Sequence, residues 1–313
     1  DPRYNGYRAP RLKGDAYYSL FDEFIQALFK KYPSALLQFE DFSSDKASTL
    51  LSKYRNEYLC FNDDIQGTGA TVLAGVLGAL RMVGKPPEAI AQLKVAVVGA
   101  GSAGIGVSQA LHTAMVEAGC PGGYEAAAAN FMVFDKDGLI GTARTGQTDE
   151  VMTYASKDLP DGMSLEEAVR REKPQLILGL SGRRGTISEG AIRAMADAHE
   201  RPIVFPLSNP TSSCEITPQE AYEWTDGKAI VATGSPFPNT TMPDGRVLVP
   251  SQCNNMYVFP GIGLAASVAG VSEITDQMLY AAAVACVDAM TPEENAEGRT
   301  FPAIDEKWRN DKL

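Results

Sequence analysis

The sequence predicts an α/β protein in which a parallel β-sheet is covered by helices. Parts of a second, partial α/β domain are expected at both ends of the chain. Three observations lead to this class. Short apolar runs alternate with amphipathic helical stretches from about residue 94 onward. Two earlier apolar runs each end in acidic residues, and after about Cys253 the pattern becomes a Gly/Ala-rich helical tail.

The first part of the chain contains two helix patterns and two short apolar runs. Helices are predicted over residues 17–31 and near 45–54, and strands over residues 35–39 and 58–61. The first strand ends in Glu40 and Asp41, and the second ends in Asn62, Asp63 and Asp64. A further helix is expected over residues 68–83, with Gly84 as its stop signal.

The central part repeats a strand–helix unit. Its candidate strands cover residues 95–98, 131–134, 176–180, 203–207 and 230–232. Two helix starts carry the capping-box pattern, Ser164 with Glu167 and Thr217 with Glu220. The predicted domains are therefore residues 1–65, a nucleotide-binding domain over 66–252, and a return segment over 253–313 that packs on the first part. The 313 residues are enough for two domains with proper cores.

Composition excludes several classes of partner. With 28 Lys and Arg against 39 Asp and Glu, the formal charge is −11, which disfavours binding to nucleic acid or to anionic membrane surfaces. No apolar run approaches the roughly 20 residues that span a bilayer. The five cysteines are scattered and form no CxxC pattern, as expected of reduced thiols in a soluble intracellular protein.

A glycine-rich turn carries the most specific local signal. An apolar strand runs into Gly99, Gly101 and Gly104, with Ser102 and Ala103 between the last two, and a helix follows. In this arrangement the first glycine allows a tight turn, the second lets a pyrophosphate approach the backbone, and the third allows close helix–strand packing. The alternative is a turn with a purely structural role. The strand–turn–helix context favours a Rossmann-type, dinucleotide-binding domain.

The choice between NAD and NADP depends on the end of the next strand. Asp135 stands where a ribose diol is held, and a carboxylate there would repel a 2′-phosphate, which favours NAD. Lys136 could weaken that repulsion, and Arg144 or Lys157 could reach the same pocket. The spacing from Gly104 to Asp135 exceeds the usual length of about 20 residues, which indicates an insertion around residues 121–129.

The two acidic strand ends predict a metal site. Ligands bind beyond the carboxyl ends of parallel strands, and if the two strand ends are adjacent, Glu40, Asp41 and Asp64 converge there. Oxygen ligands without His or Cys suit a hard ion, Mg²⁺ or Mn²⁺. The alternative is that these are surface acids or helix caps. Asp63 could orient a neighbouring base as readily as it could bind metal.

Three later turns carry polar side chains, and two of these turns follow predicted strands. Ser181 follows one strand and could lie near the nicotinamide. Asn209 follows another and could hold a carboxamide or a substrate carboxylate, although Asn-Pro is also a common turn. Asn254 and Asn255 have no comparable turn role and indicate a site for a small polar ligand.

Six segments, taken in order and spacing, resemble the malic enzyme family, and malolactic enzymes share most of them. They begin with Phe39 to Phe42, FNDDIQGT from Phe61 to Thr68, and Gly99 to Gly101. They continue with Leu207 to Thr211, Thr233 to Phe237, and Asn254–Asn255 with Phe259 to Gly261. The resemblance covers essentially the whole chain, and the FNDDIQGT segment is highly specific.

The resemblance implies oxidative decarboxylation of L-malate to pyruvate and CO₂, with NAD or NADP and a divalent metal. It matches Glu40, Asp41 and Asp64 to the metal ligands and Asp63 to support of a lysine base. Further matches are Asn209 and Asn255 to malate and Asp135 to the adenosine ribose. It also implies a homo-oligomer, a dimer or a tetramer.

The chain departs from the family in one respect. The family's catalytic tyrosine and lysine belong to an N-terminal region that has no match here, and no motif supports Tyr4, Tyr7 or Lys13 as substitutes. We therefore expect this piece alone to be inactive. The alternatives are a malolactic enzyme, which yields lactate, and a non-catalytic NAD-binding module.

Overall fold

The computed structural model describes residues 3–6 and 8–303, without the side chains of residues 44 and 45. Its helices are α1 Gly14–Lys31, α2 Ser44–Tyr54, α3 Thr68–Met82, α4 Ser102–Glu117, α5 Gly123–Ala128, α6 Asp149–Met152, α7 Leu165–Glu172, α8 Glu189–Ala198, α9 Pro218–Glu223, α10 Phe259–Ala269, α11 Asp276–Asp288 and α12 Pro292–Ala296. Its strands are β1 Leu37–Phe39, β2 Cys60–Asn62, β3 Val95–Val98, β4 Phe131–Asp135, β5 Gly138–Leu139, β6 Leu176–Gly179, β7 Ile203–Pro206, β8 Ile230–Thr233, β9 Thr240–Thr241, β10 Val247–Leu248 and β11 Ser251–Gln252. A π-helical segment, Asp63–Gly67, joins β2 to α3.

The main sheet has the strand order β11-β8-β7-β6-β3-β4-β5. Its strands run parallel except β5, which is antiparallel to β4. The order reverses beside β3, whose neighbours are β4 and β6, and ligands bind at such a switch point in open α/β sheets. The predicted parallel α/β fold is therefore confirmed, and each of the five predicted central strands is present within one residue of its expected bounds.

Two apolar layers cover this sheet. Because side chains alternate along a strand, Val95 and Val97 join the core beneath α3, α4 and α11, whereas Ala96 and Val98 join the core beneath α7, α8 and α9. These strands are buried on both faces, which explains why they read as continuous apolar runs.

Helix starts are fixed by local side-chain bonds. The two predicted capping boxes, Ser164 with Glu167 and Thr217 with Glu220, both form. A third, Thr291 with Glu294, begins α12. The long spacing before Asp135 is explained by α5, which lies within the expected insertion.

The two ends of the described chain meet around a small parallel sheet of β1 and β2. Helices α1 and α2 pack on one side of it. Leu36, Leu59 and Phe61 pack on the other side against Val258 and Ile262 of the return segment. All five cysteines are buried free thiols. Across residues 3–6 and 8–303, the helices are too short or too polar to span a bilayer.

Candidate active site

The acidic ends of β1 and β2 converge as the sequence predicts. The two strands pair in parallel with Phe39 opposite Asn62, so the residues that follow them leave the sheet at the same edge. Carboxylate oxygens of Glu40, Asp41 and Asp64 all lie within 4.8 Å of one another. The backbone N–H of Asp41 also donates to Asp64 Oδ2 at 2.9 Å. Glu40 and Asp41 are exposed, and Asp64 is partly exposed.

The π-helical segment directs its two aspartates differently. Asn62 Oδ1 accepts the N–H of Ile65 at 2.9 Å, and Gln66 Oε1 accepts the N–H of Asn62 at 3.0 Å. These bonds hold a wide turn between β2 and α3, and such turns are frequent at functional sites. Asp63 is buried within it, whereas Asp64 stays partly exposed beside Glu40.

Asp63 is held by an amide from the return segment. Asn255 Nδ2 donates to Asp63 Oδ2 at 3.0 Å and to the Asp63 carbonyl at 3.1 Å. Asp63 Oδ1 is buried and has no hydrogen-bond partner in the described part of the chain. Burial raises the pKa of Asp63 to about 6; the bond from Asn255 opposes this shift, and the charge of Glu40 adds to it.

These acids have the composition and the electrostatics of a divalent-cation site. Burial raises the pKa of Asp64, the N–H of Asp41 opposes the rise, and the charges of Glu40 and Asp41 add to it. Clustered carboxylates repel one another unless a cation intervenes. Oxygen donors at this spacing fit Mg²⁺ or Mn²⁺. The buried, unpartnered Oδ1 of Asp63 leaves one further acceptor beside the cluster.

The glycine-rich turn connects β3 to α4. Gly99 has φ +128°, and Gly104 packs so closely that an added Cβ would lie 1.9 Å from the Gly99 carbonyl oxygen. Around Gly101 a Cβ would meet nothing within 4 Å, so open space borders the backbone where a pyrophosphate is expected. Ser102 is the first residue of α4, and Ala103 is exposed beside it.

The glycine turn and the acidic cluster belong to neighbouring segments. Ile65 and Gln66, which follow Asp64, line a cavity of about 590 Å³ together with Gly101 and Ser102. The chain segment that directly follows Asp64 and the glycine turn therefore border the same cavity.

Asp135 already has protein partners at the end of β4. Its Oδ1 accepts the N–H of Asp137 at 2.8 Å, and its Oδ2 accepts from Arg144 and Gln147. Arg144 is mostly buried and bridges to Asp161 as well. Lys136 points outward and pairs with Asp137 at 2.6 Å.

Ser181 and Asn209 lie on the turns after β6 and β7. Asn209 is exposed, forms a cis peptide bond with Pro210 and accepts a bond from Ser235 Oγ. The N–H and Oγ of Ser181 both donate to Glu215, at 2.7 and 2.8 Å. The expectation that the Asn254–Asn255 pair has no turn role is wrong for Asn254, because its Oδ1 caps the turn by accepting the N–H of Met256.

Two residues that hold these turns by hydrogen bonds were not among the expected site residues: Glu215 at the turns after β6 and β7, and Gln66 at the end of β2. Glu215 has only a helix-proximal position as a sequence signal, and Gln66 stands inside the FNDDIQGT motif. Of the candidates not supported by a motif, Tyr4 and Lys13 are exposed, and Tyr7 lies outside the described residues.

Sequence comparisons identify the family. The family model "Malic enzyme, NAD binding domain" matches residues 65–309, and the model "Malic enzyme, N-terminal domain" matches residues 1–55. The chain belongs to the malic enzyme family. Its NAD-binding domain match spans the sheet and the glycine turn described above.

Individual malic enzymes are similar along most of the chain. The NADP-dependent malic enzyme of Dictyostelium discoideum is 45% identical over 306 residues, covering 97% of this chain and 55% of that protein. The NAD-dependent malic enzyme 2, mitochondrial, of Arabidopsis thaliana is 40% identical over 304 residues, covering 96% and 50%. The chain thus spans about half the length of the curated relatives it matches.

Solved malic enzyme structures share the fold. The NAD-dependent malic enzyme of Thermotoga maritima has a TM-score of 0.69 at 25% identity, covering 95% of this chain and 70% of that one. The malic enzyme of Pyrococcus horikoshii Ot3 has a TM-score of 0.68 at 28% identity, covering 90% and 60%.

Proposed function

We propose that the complete gene product containing this chain catalyses the oxidative decarboxylation of L-malate to pyruvate and CO₂, using NAD and Mg²⁺ or Mn²⁺. One observation carries the proposal. The carboxylates of Glu40, Asp41 and Asp64 lie within 4.8 Å of one another, and the segment of Asp64 continues into Ile65 and Gln66, which line the cavity bordered by Gly101.

In this proposal Glu40, Asp41 and Asp64 hold the divalent ion. When bound, the ion supplies Lewis-acid polarisation of the C2 oxygen of malate. We assign Asp63 a supporting role rather than a ligand role, since its Oδ2 accepts from Asn255 and its Oδ1 is buried. Its unpartnered Oδ1 can accept a bond from a lysine ammonium and so orient that base. We assign the base and the proton donor themselves to no residue of this chain.

The coenzyme lies along the carboxyl edge of the sheet. Gly99, Gly101, Ser102, Ala103 and Gly104 would receive the pyrophosphate at the start of α4. NAD is favoured over NADP because Arg144 is shared between two carboxylates, Asp135 and Asp161. That triad keeps a net negative charge, which opposes a 2′-phosphate.

Two amides are the candidates for substrate contact. The Oδ1 of Asn209 accepts from Ser235, so its Nδ2 is the group that can donate to a carboxylate of malate or to the nicotinamide carboxamide. Asn255 already donates to Asp63 and Thr68. We propose that it acts on malate chiefly by fixing Asp63.

The same proposal includes domain boundaries at residues 65 and 252 and a homo-oligomeric assembly. A contact between the return segment and the first part of the chain supports these boundaries, since Asp276 pairs with Arg55 at the end of α2 at 2.9 Å. The homo-oligomeric assembly rests on the resemblance to the malic enzyme family alone.

The metal assignment is tested with Glu40→Gln and Asp64→Asn in the complete protein. We expect Mn²⁺-dependent malate oxidation to fall by at least about a hundredfold in either variant. NADH binding is expected to survive, because neither residue belongs to the glycine turn. Glu57→Gln, an exposed acid outside the cluster, serves as the control and should retain activity.

The readout also separates the alternatives. Reduced nicotinamide accumulates with pyruvate if the proposal holds, and the rate with NAD⁺ should exceed that with NADP⁺. Lactate without free NADH would indicate a malolactic enzyme. Dinucleotide binding without any malate turnover would indicate a non-catalytic module, and full activity of Asp64→Asn would overturn the metal assignment.

A further inference from the structure

A carboxylate outside the metal cluster lies buried beneath the carboxyl edge of the sheet. Glu215, just before α9, has no solvent-exposed surface. Its Oε1 accepts three bonds: from the Ser181 N–H at 2.7 Å, from Ser181 Oγ at 2.8 Å and from Ser208 Oγ at 2.6 Å. Burying a carboxylate is costly unless donors compensate it. These three bonds compensate Oε1, whereas Oε2 is buried without a hydrogen-bond partner among the described residues.

The donors come from two different turns. Ser181 follows β6, and Ser208 follows β7. Ser208 Oγ in turn accepts the N–H of Gly182 at 2.8 Å, and the Glu215 carbonyl accepts the N–H of Gly185 at 2.8 Å. One side chain therefore ties together the turns at the ends of two adjacent strands.

The fit around Glu215 is close. A Cβ on Gly179, the last residue of β6, would lie 2.5 Å from Glu215 Oε2. The end of β6 thus leaves room for the carboxylate and for no larger neighbour. The nearby cation Arg184 pairs with Glu220 at 2.7 Å instead, so hydrogen bonds rather than an ion pair hold Glu215.

Strand order gives these turns a location relative to the dinucleotide. The glycine turn after β3 and Asp135 after β4 form the first mononucleotide half of the sheet, which receives the adenosine diphosphate. Strands β6, β7 and β8 lie across the switch point and form the second half, which receives the nicotinamide nucleoside.

We propose that Glu215 is a positioning residue for the nicotinamide half of the coenzyme, acting through Ser181 and Ser208 and without touching the ligand. This inference rests on the proposed function, since it requires a dinucleotide at the glycine turn. Ser181 connects the two, because its N–H and Oγ bind Glu215 while its backbone belongs to the turn after β6.

The test compares two ligands that differ by the nicotinamide ring. Dissociation constants for NADH and for ADP-ribose are measured by calorimetry on the complete protein. In Glu215→Gln, which keeps the shape but weakens the accepted bonds, we expect NADH binding to weaken about tenfold. ADP-ribose binding should change less than about twofold, because its contacts lie on the first half of the sheet.

Ser208→Ala removes one donor and leaves Glu215 in place. We expect it to weaken NADH binding about threefold and to leave ADP-ribose binding nearly unchanged. If Glu215→Gln does not fold, Ser208→Ala alone tests the positioning role. Glu167→Gln, an exposed acid that caps α7, is the matched control and should alter neither constant.

Two outcomes would contradict the positioning role of Glu215. Unchanged NADH binding in both Glu215→Gln and Ser208→Ala, or an equal loss for NADH and ADP-ribose, overturns the positioning role. Failure of the wild-type protein to bind either ligand would instead remove the dinucleotide site itself, and Glu215 would lose its proposed role with it.

Discussion

The three glycines of the turn after β3 differ in what a side chain would meet. A Cβ at Gly99 would lie 2.3 Å from the Leu180 carbonyl oxygen, and one at Gly104 would lie 1.9 Å from the Gly99 carbonyl oxygen. Gly101 has an ordinary extended backbone, φ −75°, and open space around it. Packing therefore requires glycine at positions 99 and 104. At position 101 packing leaves room for a side chain, and we attribute the glycine there to a bound ligand.

This difference gives a residue-scale prediction. Gly101→Ala should fold with a melting temperature close to that of the wild type but bind NADH at least about tenfold more weakly, because its methyl group enters the pyrophosphate space. Gly104→Ala should lower the melting temperature by several degrees, since a backbone clash has to be relieved. Thermal unfolding and NADH titration of both variants measure this. Normal NADH affinity in Gly101→Ala would show that the turn is only structural.

At the scale of elements, local patterns were sufficient for most of the fold. Strands buried on both faces read as apolar runs, and helix starts such as Ser164 carry their own capping partners, so both are visible within a few residues. The predicted acidic cluster required the two acidic strand ends to be adjacent, and the parallel pairing of β1 with β2 brings Glu40 and Asp64 together.

The parts that sequence did not reveal depend on distant contacts. Asp63 meets Asn255 across 192 positions in the chain, and Glu215 meets Ser181 across 34. No local periodicity encodes such pairs. The π-helical segment is a similar case, because its wide turn is selected by packing against α4 and by the side chains of Asn62 and Gln66, and helix periodicity alone predicts an ordinary α-helical start.

The segment after β5 offers an element-scale prediction about pH. Asp161 accepts bonds from the Arg144 Nε at 2.9 Å and from the Gly141 N–H at 2.9 Å. The bonds from Arg144, and secondarily the one from Gly141, lower the pKa of Asp161. A carboxyl group with a lowered pKa stabilises the fold above its unfolded pKa of about 3.9, and that contribution is lost as the pH falls through the folded value.

Wild-type protein should therefore melt higher than Asp161→Asn at pH 7, and the gap should narrow as the pH falls below about 4. Melting curves of both proteins over this range measure the difference, in which the titration of other carboxylates cancels. Asp158→Asn, at an exposed neighbouring position, is measured alongside as the control for removing one negative charge. A constant difference for Asp161→Asn across the range would mean that the ion pair with Arg144 does not stabilise this segment.

At the scale of the whole molecule, the described chain has candidate residues for binding the ligands but none that we assign to proton transfer. The described chain contains the carboxylate cluster, the glycine turn and the two-half sheet, which we propose as its ligand sites. We assign neither a base that accepts the C2 hydroxyl proton of malate nor an acid that protonates the enol to any of its residues. Both are needed for turnover at a useful rate.

The purified 313-residue chain should therefore bind NADH and Mn²⁺ but produce no NADH from malate and NAD⁺. Binding is measured by titration with each ligand, which also confirms that the chain is folded, and turnover by the absorbance of reduced nicotinamide. The complete gene product, assayed in parallel at the same Mn²⁺ concentration, is expected to be active. Malate oxidation by the 313 residues alone would place a base and a proton donor within this chain and would require exposed candidates such as Tyr4 and Lys13 to be reconsidered.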